Sequence, residues 1–249
     1  MKKNKSVLIT IPHCSSFVSK EIKTNMLLTD FDILKETDLY TDQIFSVSNA
    51  YCVKAKLSRL VADMNRAPDE LEMEQRLCAE GVVVSVNSEG KHVYNKPLTA
   101  KQVDTRILKY HDPFHAKVDE YAQKSIFMID GHSMWPSGRA TKIDAGKARP
   151  DINLGNRDYT TCTRSQTAFF KHYFEALGYS VEVNYPFKGR YVIGYHCSRN
   201  KRKGIPGIQL EINQALYTNK KTLKPKQEMV KKLNHEIKIL VDLIGEEFV

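Results

Sequence analysis

Residues 6–11, SVLITI, form an almost unbroken apolar run rich in β-branched side chains and predict a first strand. Between residues 30 and 50, Phe31, Leu34, Leu39 and Ile44–Phe45 fall on a loose helical stripe, which predicts a helix after a loop. Residues 51–65, YCVKAKLSRLVADMN, alternate polar and apolar positions and predict one or two strands. Residues 80–98 predict a strand and loop insertion, with turn chemistry at Asn87–Gly90. Thr99 and Gln102 stand at capping-box spacing, so a helix is expected from Thr99 to about Gln123, kinked or interrupted at Pro113. SIFMID, residues 125–130, predicts a buried strand. An amphipathic helix follows over 160–177, stopped by Gly178. Residues 179–184 and 207–213 predict two more strands. Residues 225–245 predict a last helix, with Met229, Leu233, Ile237 and Leu240 on one side.

Strands alternating with helices imply an α/β sheet covered on both faces. The chain has 249 residues, ample for a real core, and shows no repeats or low-complexity linkers. Hydrophobic content of 41% and charged content of 27% are those of a soluble globular protein. No apolar run approaches the ~20 residues of a membrane-spanning helix. The apolar stretch Val7–Pro12 near the start is too short for a signal peptide and lacks a small-residue cleavage site. The five cysteines, Cys14, Cys52, Cys78, Cys162 and Cys197, are scattered, with no CxxC pair. They fit a reducing compartment and offer no cysteine zinc site, so a cytoplasmic location is expected. Net charge is +9, 38 basic against 29 acidic residues. That charge suits a nucleic acid, an acidic surface or a small anion, and equally a generally basic, solvated surface. The basic stretch SRNKRKG, residues 198–204, is the candidate polyanion contact. No zinc finger or aromatic-rich single-strand motif accompanies it, so nucleic acid is not an expected partner.

In open α/β sheets the working residues collect at the carboxyl ends of the strands. The first strand ends in TIPH and presents His13, and IFMIDGHSM ends the middle strand and presents His132. Glu211 lies between Leu210 and Ile212, so on a strand it points away from both, toward solvent or a site. Two histidines plus a carboxylate make an open zinc site plausible, with water in the remaining position and a further carboxylate as general base. A strand-end histidine taken alone is more often structural. A rival metal pair, His111 and His115, has i, i+4 spacing, but Asp112 and Pro113 replace the glutamate and unbroken helix of a zincin. Asn65 and Arg66 follow Asp63 after a strand-like run, and the guanidinium offers a planar fork for a carboxylate or for a structural acid. Cys14 beside His13 raises a cysteine-hydrolase alternative, but adjacent strand residues point to opposite faces.

Eight ordered segments spanning residues 7–217 resemble the N-formylglutamate amidohydrolase family: LITIPHCSS, ETDLYTDQIF, SRLVADMNRAPDE, LKYHDPFH, IFMIDGHSM, DINLGNRD, VNYPFKGRYVIGYH and IQLEINQALY. The resemblance implies one catalytic domain over residues 1–249 with a three-layer α/β/α fold. It implies a central mixed, largely parallel sheet of the zinc-exopeptidase, phosphorylase/hydrolase-like kind, and a kinship with zinc carboxypeptidases and aminoacylases. It implies a single zinc ion held by His13, Asp38 and His132, with Asp42, one helical turn on, as the competitor of Asp38. It implies Glu211 as general base, and Asn65 and Arg66 as groups that hold a substrate carboxylate or polarise a carbonyl. It implies that Lys188, Arg190 and His196, in the loop after NYP, add positive charge at the pocket; the spacing of His111 and His115 is read as a pair that faces substrate or lies just behind the site, and equally as a solvated or capped helix pair. The expected substrate is a small anionic N-acyl amino acid such as N-formyl-glutamate, with another N-acyl amino acid or peptide as the alternative. Cys14, Ser15 and Ser16 stand where Ser-Gly-Thr is usual in the family, and Lys188-Gly189-Arg190 stands where KGG is common. The insertion at residues 85–97 either shapes the pocket or covers an edge.

Overall fold

The structure is a computed structural model and describes residues 5–70, 81–139, 144–197 and 204–248. The strands are β1 (Val7–Ile11), β2 (Tyr51–Lys54), β3 (Phe127–Met134), β4 (Ile152–Gly155), β5 (Val181–Val183) and β6 (Gly207–Asn213). The helices are α1 (Lys20–Lys23), α2 (Asp30–Lys35), α3 (Thr41–Ile44), α4 (Ala100–Arg106), α5 (Asp112–Ala122), α6 (Arg164–Ala176), α7 (Tyr191–His196) and α8 (Gln227–Glu247). A π-helical turn, Ile107–His111, joins α4 to α5. One six-stranded sheet runs in the order β2-β1-β3-β6-β4-β5. Every neighbouring pair is parallel except β4 with β6, so the sheet is mixed and mostly parallel. No helix among the described residues is long and apolar enough to cross a membrane.

Strand alternation sorts the sheet into two faces. Val7, Ile9, Ile11, Phe127, Ile129, Ile208, Leu210 and Ile212 point into one large apolar cluster shared with α3, α6 and α8. Leu8, Val53 and Met128 point the other way, into a smaller cluster with α5 and α7. On that second face the carboxyl halves of β1, β3 and β6 turn polar, presenting Thr10, Asp130, His132, Gln209 and Glu211, all buried. The register pairs Thr10 with Asp130 and His132 with Glu211, so these side chains stand side by side.

Several elements differ from the sequence expectation. Residues 30–50 form two short helices with a sharp turn between them, in which Tyr40 takes φ 61°. Only residues 51–54 of the alternating stretch are strand. The apolar positions beyond them, Leu57, Leu60, Val61, Ala62 and Met64, are buried from an irregular loop, which produces alternation without a ladder. β4 escaped detection because four residues including Asn153 and Gly155 carry little strand propensity. The helix from Thr99 to Gln123 forms with its capping box, but its interruption is the π-turn at Ile107–His111, ahead of Pro113, which sits in regular helix. The insertion covers a third apolar cluster through Val84, Val93 and Tyr94, and it reaches the pocket through Ser88. Most of the basic stretch 198–204 and Cys78 lie outside the described residues.

β3 does not end at Asp130 but continues through His132 to Met134, and Gly131 is not a turn residue. A Cβ on Gly131 would meet the buried Phe45 ring at 2.7–2.9 Å. Gly131 therefore lets α3 and its ring close onto the middle of the sheet. Gly131→Ala is expected to destabilise the fold by about 1–3 kcal/mol, since overpacking forces the ring to move. Denaturant melts check this, and Phe45→Leu in the same chain should recover part of the loss.

Candidate active site

The carboxyl ends of β1 and β3 bring His13 and His132 together, their rings 4.8 Å apart between centroids. His13 Nε2 lies 2.7 Å from Asp63 Oδ1. His132 Nε2 lies 2.9 Å from Asp130 Oδ2. Both outer nitrogens are thus held by fully buried carboxylates, and the Nδ1 atoms face a third carboxylate between them. Asp38 Oδ2 is 3.0 Å from His132 Nδ1 and 3.7 Å from His13 Nδ1. Asp38 itself is fixed by the backbone: its N–H donates to His13 O at 3.0 Å, and Ser133 N–H donates to its Oδ2 at 3.1 Å.

The second carboxylates are themselves held. Arg59 grips Asp63 Oδ2 with Nε at 3.0 Å and Nη2 at 2.6 Å, and the Asn65 N–H donates to Asp63 Oδ1 at 2.8 Å. Thr10 Oγ1 donates to Asp130 Oδ1 at 2.7 Å. Burial opposes every charge here, but the pairings win. Asp38 lies below the usual carboxylate range because of its two histidines. Arg59 and His13 hold Asp63 well below that range. Asp130 and Asp38 hold His132 well above the ordinary imidazole range.

His13, Asp38 and His132 offer ligand atoms within 4.8 Å of one another. Two imidazole nitrogens and one carboxylate oxygen, with each imidazole backed by an acid, make a donor set that can hold a metal ion. Asp42 lies elsewhere, beside Cys14 and Lys54 in a shallow depression. It cannot compete with Asp38, because a tight turn at Tyr40, not one continuous helix, separates the two acids.

The histidines and Asp38 open into a cavity of about 630 Å³ that Glu211, Asn65, Arg66, Lys188 and Arg190 also line. Glu211 is buried and accepts a hydrogen bond from Gln209 Nε2 at 2.8 Å. Burial pushes its pKa up to about 7, with Asp38 adding to the rise and His132 opposing it. Asn65 packs its amide nitrogen 3.1 Å from His132 Nε2, and its Oδ1 accepts the Val192 N–H at 2.9 Å. Arg66 is buried, and its Nη1 donates to Asn65 O at 2.9 Å. Lys188 and Arg190 sit at the rim, where Lys188 pairs with Asp158 at 2.9 Å.

His111, His115 and His196 are not among the pocket-lining residues. They pack behind it, with His111 on Arg66 O, His115 on Met64 O, and His196 between His115 and Asp119. The cavity wall also carries residues the sequence pattern did not single out. Arg149, held by Asp144 and stacked over Phe187, sits close enough to Glu211 to act on it electrostatically. Arg139 pairs with Glu36 and stacks over Trp135. Asp144 and Trp135 lie only five and four residues from Arg149 and Arg139, but Phe187 and Glu36 come from distant segments.

The N-formylglutamate amidohydrolase family model matches residues 5–218. No curated protein matches the chain. The N-formylglutamate amidohydrolase of Ralstonia eutropha superposes with a TM-score of 0.85 at 22% identity, over 100% of this chain and 96% of that one. A gene product of Agrobacterium tumefaciens superposes with a TM-score of 0.65 at 18% identity, over 98% of this chain and 90% of that one. At these identities the structures speak for the fold, and the family match over most of the sequence speaks for descent. The chain belongs to the N-formylglutamate amidohydrolase family.

Proposed function

We propose that the chain is a zinc-dependent amidohydrolase that removes the acyl group, formyl foremost, from an N-acylated acidic amino acid such as N-formyl-L-glutamate. The observation that carries this reading is the convergence of His13, His132 and Asp38 beside a buried Glu211 at the floor of one cavity. His13, Asp38 and His132 would hold the zinc ion, which would supply Lewis acidity for a water and an amide carbonyl. Asp63 and Asp130 keep the Nδ1 atoms aimed at the ion. Glu211 takes a proton from the attacking water and passes it to the departing amine nitrogen. Its raised pKa suits both transfers, since a base poised near neutrality both accepts and returns a proton. Arg66 supports the oxyanion or a substrate carboxylate, and Lys188 and Arg190 at the rim draw in the second carboxylate. Eight lysines and arginines line the cavity against five acids, a balance that favours an anionic substrate.

The products are a carboxylate, formate in the simplest case, and a free amino acid, so assays of purified protein on formyl-, acetyl- and succinyl-amino acids test the reading directly. Turnover of none of them sinks it. Asp63→Asn and Asp130→Asn are each expected to weaken zinc binding about 10–100-fold, while Asp42→Asn leaves it unchanged. Competition with a chromophoric chelator measures this, and equal effects at Asp38 and Asp42 would reject the ligand set.

Glu211→Gln should retain zinc and lose activity about 10²–10⁴-fold. The base works only when ionised, so kcat/KM should rise with pH along an acid limb at or below about 7. The limb lies at the low side of that value when a cation sits at the histidines, because nearby positive charge favours the carboxylate. A pH profile that is flat from 5 to 8 would exclude Glu211 as base.

The cysteine-hydrolase alternative meets a thiol that burial pushes up to about 12. Its Sγ points to Ile11 O and Ala55 O, away from the cavity. Cys14 should therefore alkylate slowly with iodoacetamide at pH 7.5, and Cys14→Ser should keep normal turnover.

A further inference from the structure

The segment that supplies Asp63, Asn65 and Arg66 has no strand or helix between residues 55 and 70, yet residues 60–66 are almost wholly buried. Buried carbonyls of such a loop need donors from elsewhere. Three of them are met by side chains from a single helical stretch. Arg106 Nη1 donates to Val61 O at 3.3 Å, His115 Nε2 to Met64 O at 3.0 Å, and His111 Nε2 to Arg66 O at 2.9 Å.

A regular α-helix would not aim these three side chains at one loop. Arg106 and His111 are five residues apart, a spacing that places them on different faces when the period is 3.6. The π-turn corrects this. Asp112 N–H closes on Ile107 O, one residue further back than in an α-helix, and the extra residue brings Arg106 and His111 to the same side. His115 follows four residues later on regular α-helix, stacked on His111 at 4.2 Å between centroids. Pro113 stands at the start of this new helical run.

The proton assignments follow from the acceptors. His115 gives its Nε2 proton to a carbonyl, and burial keeps the ring neutral by lowering its pKa to about 2. Its Nδ1 therefore accepts, and His196 Nε2 donates to it at 2.8 Å. His196 Nδ1 lies 3.0 Å from Asp119 Oδ1. Asp119 and His196 thus lock the ring flip and tautomer of His115 from behind.

We propose that His111 and His115 are positioning residues: through Arg66 O and Met64 O they set the turn that aims Arg66 into the cavity, and so fix the cavity's affinity for a substrate carboxylate. The inference rests on the reading of the cavity as a site for an N-acyl acidic amino acid. It is tested by calorimetric binding of L-glutamate to the zinc-loaded protein, which needs no turnover. His111→Ala and His115→Ala are each expected to weaken glutamate binding about 10–100-fold, since small displacements of a clamping group cost that much. With N-formyl-L-glutamate, KM should rise more than kcat falls. His115→Gln, which keeps an amide N–H for Met64 O, should recover most of the affinity and serves if the alanine variant does not fold. In an Arg66→Ala background, His115→Ala should cost no further affinity, because its effect runs through Arg66. A folded His115→Ala protein with normal glutamate affinity, or a loss that adds in full to that of Arg66→Ala, overturns the proposal. Wild-type protein that binds glutamate but hydrolyses no N-acyl-glutamate overturns the substrate reading, and the binding cycle still decides the positioning role. Wild-type protein that binds no glutamate overturns both.

Discussion

The arrangement depends on burying Asp38 between two imidazoles. His13, Asp38, Asp63, Asp130 and His132 are all less than a tenth exposed. Removing that many ionisable groups from water costs several kcal/mol for each charge unless every one is paired and hydrogen-bonded. The surrounding sequence meets this demand. Arg59 and the Asn65 N–H complete Asp63, Thr10 completes Asp130, and the Ser133 N–H completes Asp38. Three carboxylates face one arginine and two histidines in this cluster. The same constraint explains why Thr10, an apparently ordinary strand residue, cannot be exchanged for valine without orphaning a buried carboxylate oxygen.

The sheet meets this demand by its polarity. β1, β3 and β6 run parallel, so their carboxyl ends deliver His13, His132 and Glu211 to one edge. β4 runs antiparallel to β6, and with β5 it forms the opposite wall. The loops leaving β4 and β5 must then approach each other closely. Gly155 allows it, since a Cβ there would meet the backbone of Lys188 and Gly189 at 2.7–3.0 Å. Arg157, Asp158, Tyr159 and Asn184 all adopt left-handed backbone, which costs energy at residues other than glycine. Asn156 and Asn184 hold that conformation with reciprocal bonds: the Asn156 N–H donates to Asn184 Oδ1 at 3.0 Å, and Asn184 Nδ2 donates to Asn156 Oδ1 at 2.8 Å. The strained rim is where Arg157 and Lys188 line the cavity, which fits the general concentration of strain at ligand sites.

What was legible in the sequence was what period two and short-range spacing encode. Alternation around Leu210-Glu211-Ile212 gave the correct face for Glu211, and the capping box at Thr99 gave the correct helix start. His13 and His132 were readable as members of one sheet edge, although β3 runs on past His132 for two residues. Two kinds of feature were not legible. Irregular buried loops mimic strands: Leu57 to Met64 alternate because side chains from several directions bury them, not because they pair. Helical spacing also misleads where the period changes. His111 and His115 looked like a metal pair at i, i+4, but the π-turn before them rotates both toward backbone carbonyls. Arg149 and Arg139 were not singled out, since Phe187 and Glu36, which join the nearby Asp144 and Trp135 around them, are brought there only by the fold.

The irregular loop at residues 58–66 is the point where these strands of argument meet. A strand there would have satisfied its own backbone but would have placed Asp63 and Asn65 on one face and Arg66 on the other. One loop instead presents Asp63 to His13, Asn65 to His132 and Arg66 to the cavity, three groups with three different targets. That freedom leaves carbonyls without a ladder, and side chains from elsewhere take them: Tyr94 on Leu60 O, Arg106 on Val61 O, His115 on Met64 O and His111 on Arg66 O. A side-chain donor, unlike a ladder, is fixed only as well as its own helix, so the precision of the site is transferred to the stretch from α4 to α5. This gives a physical reason for a π-turn in a helical stretch that does not line the cavity. The departure from regular geometry lies one layer behind the chemistry, where it sets the aim of the residues in front.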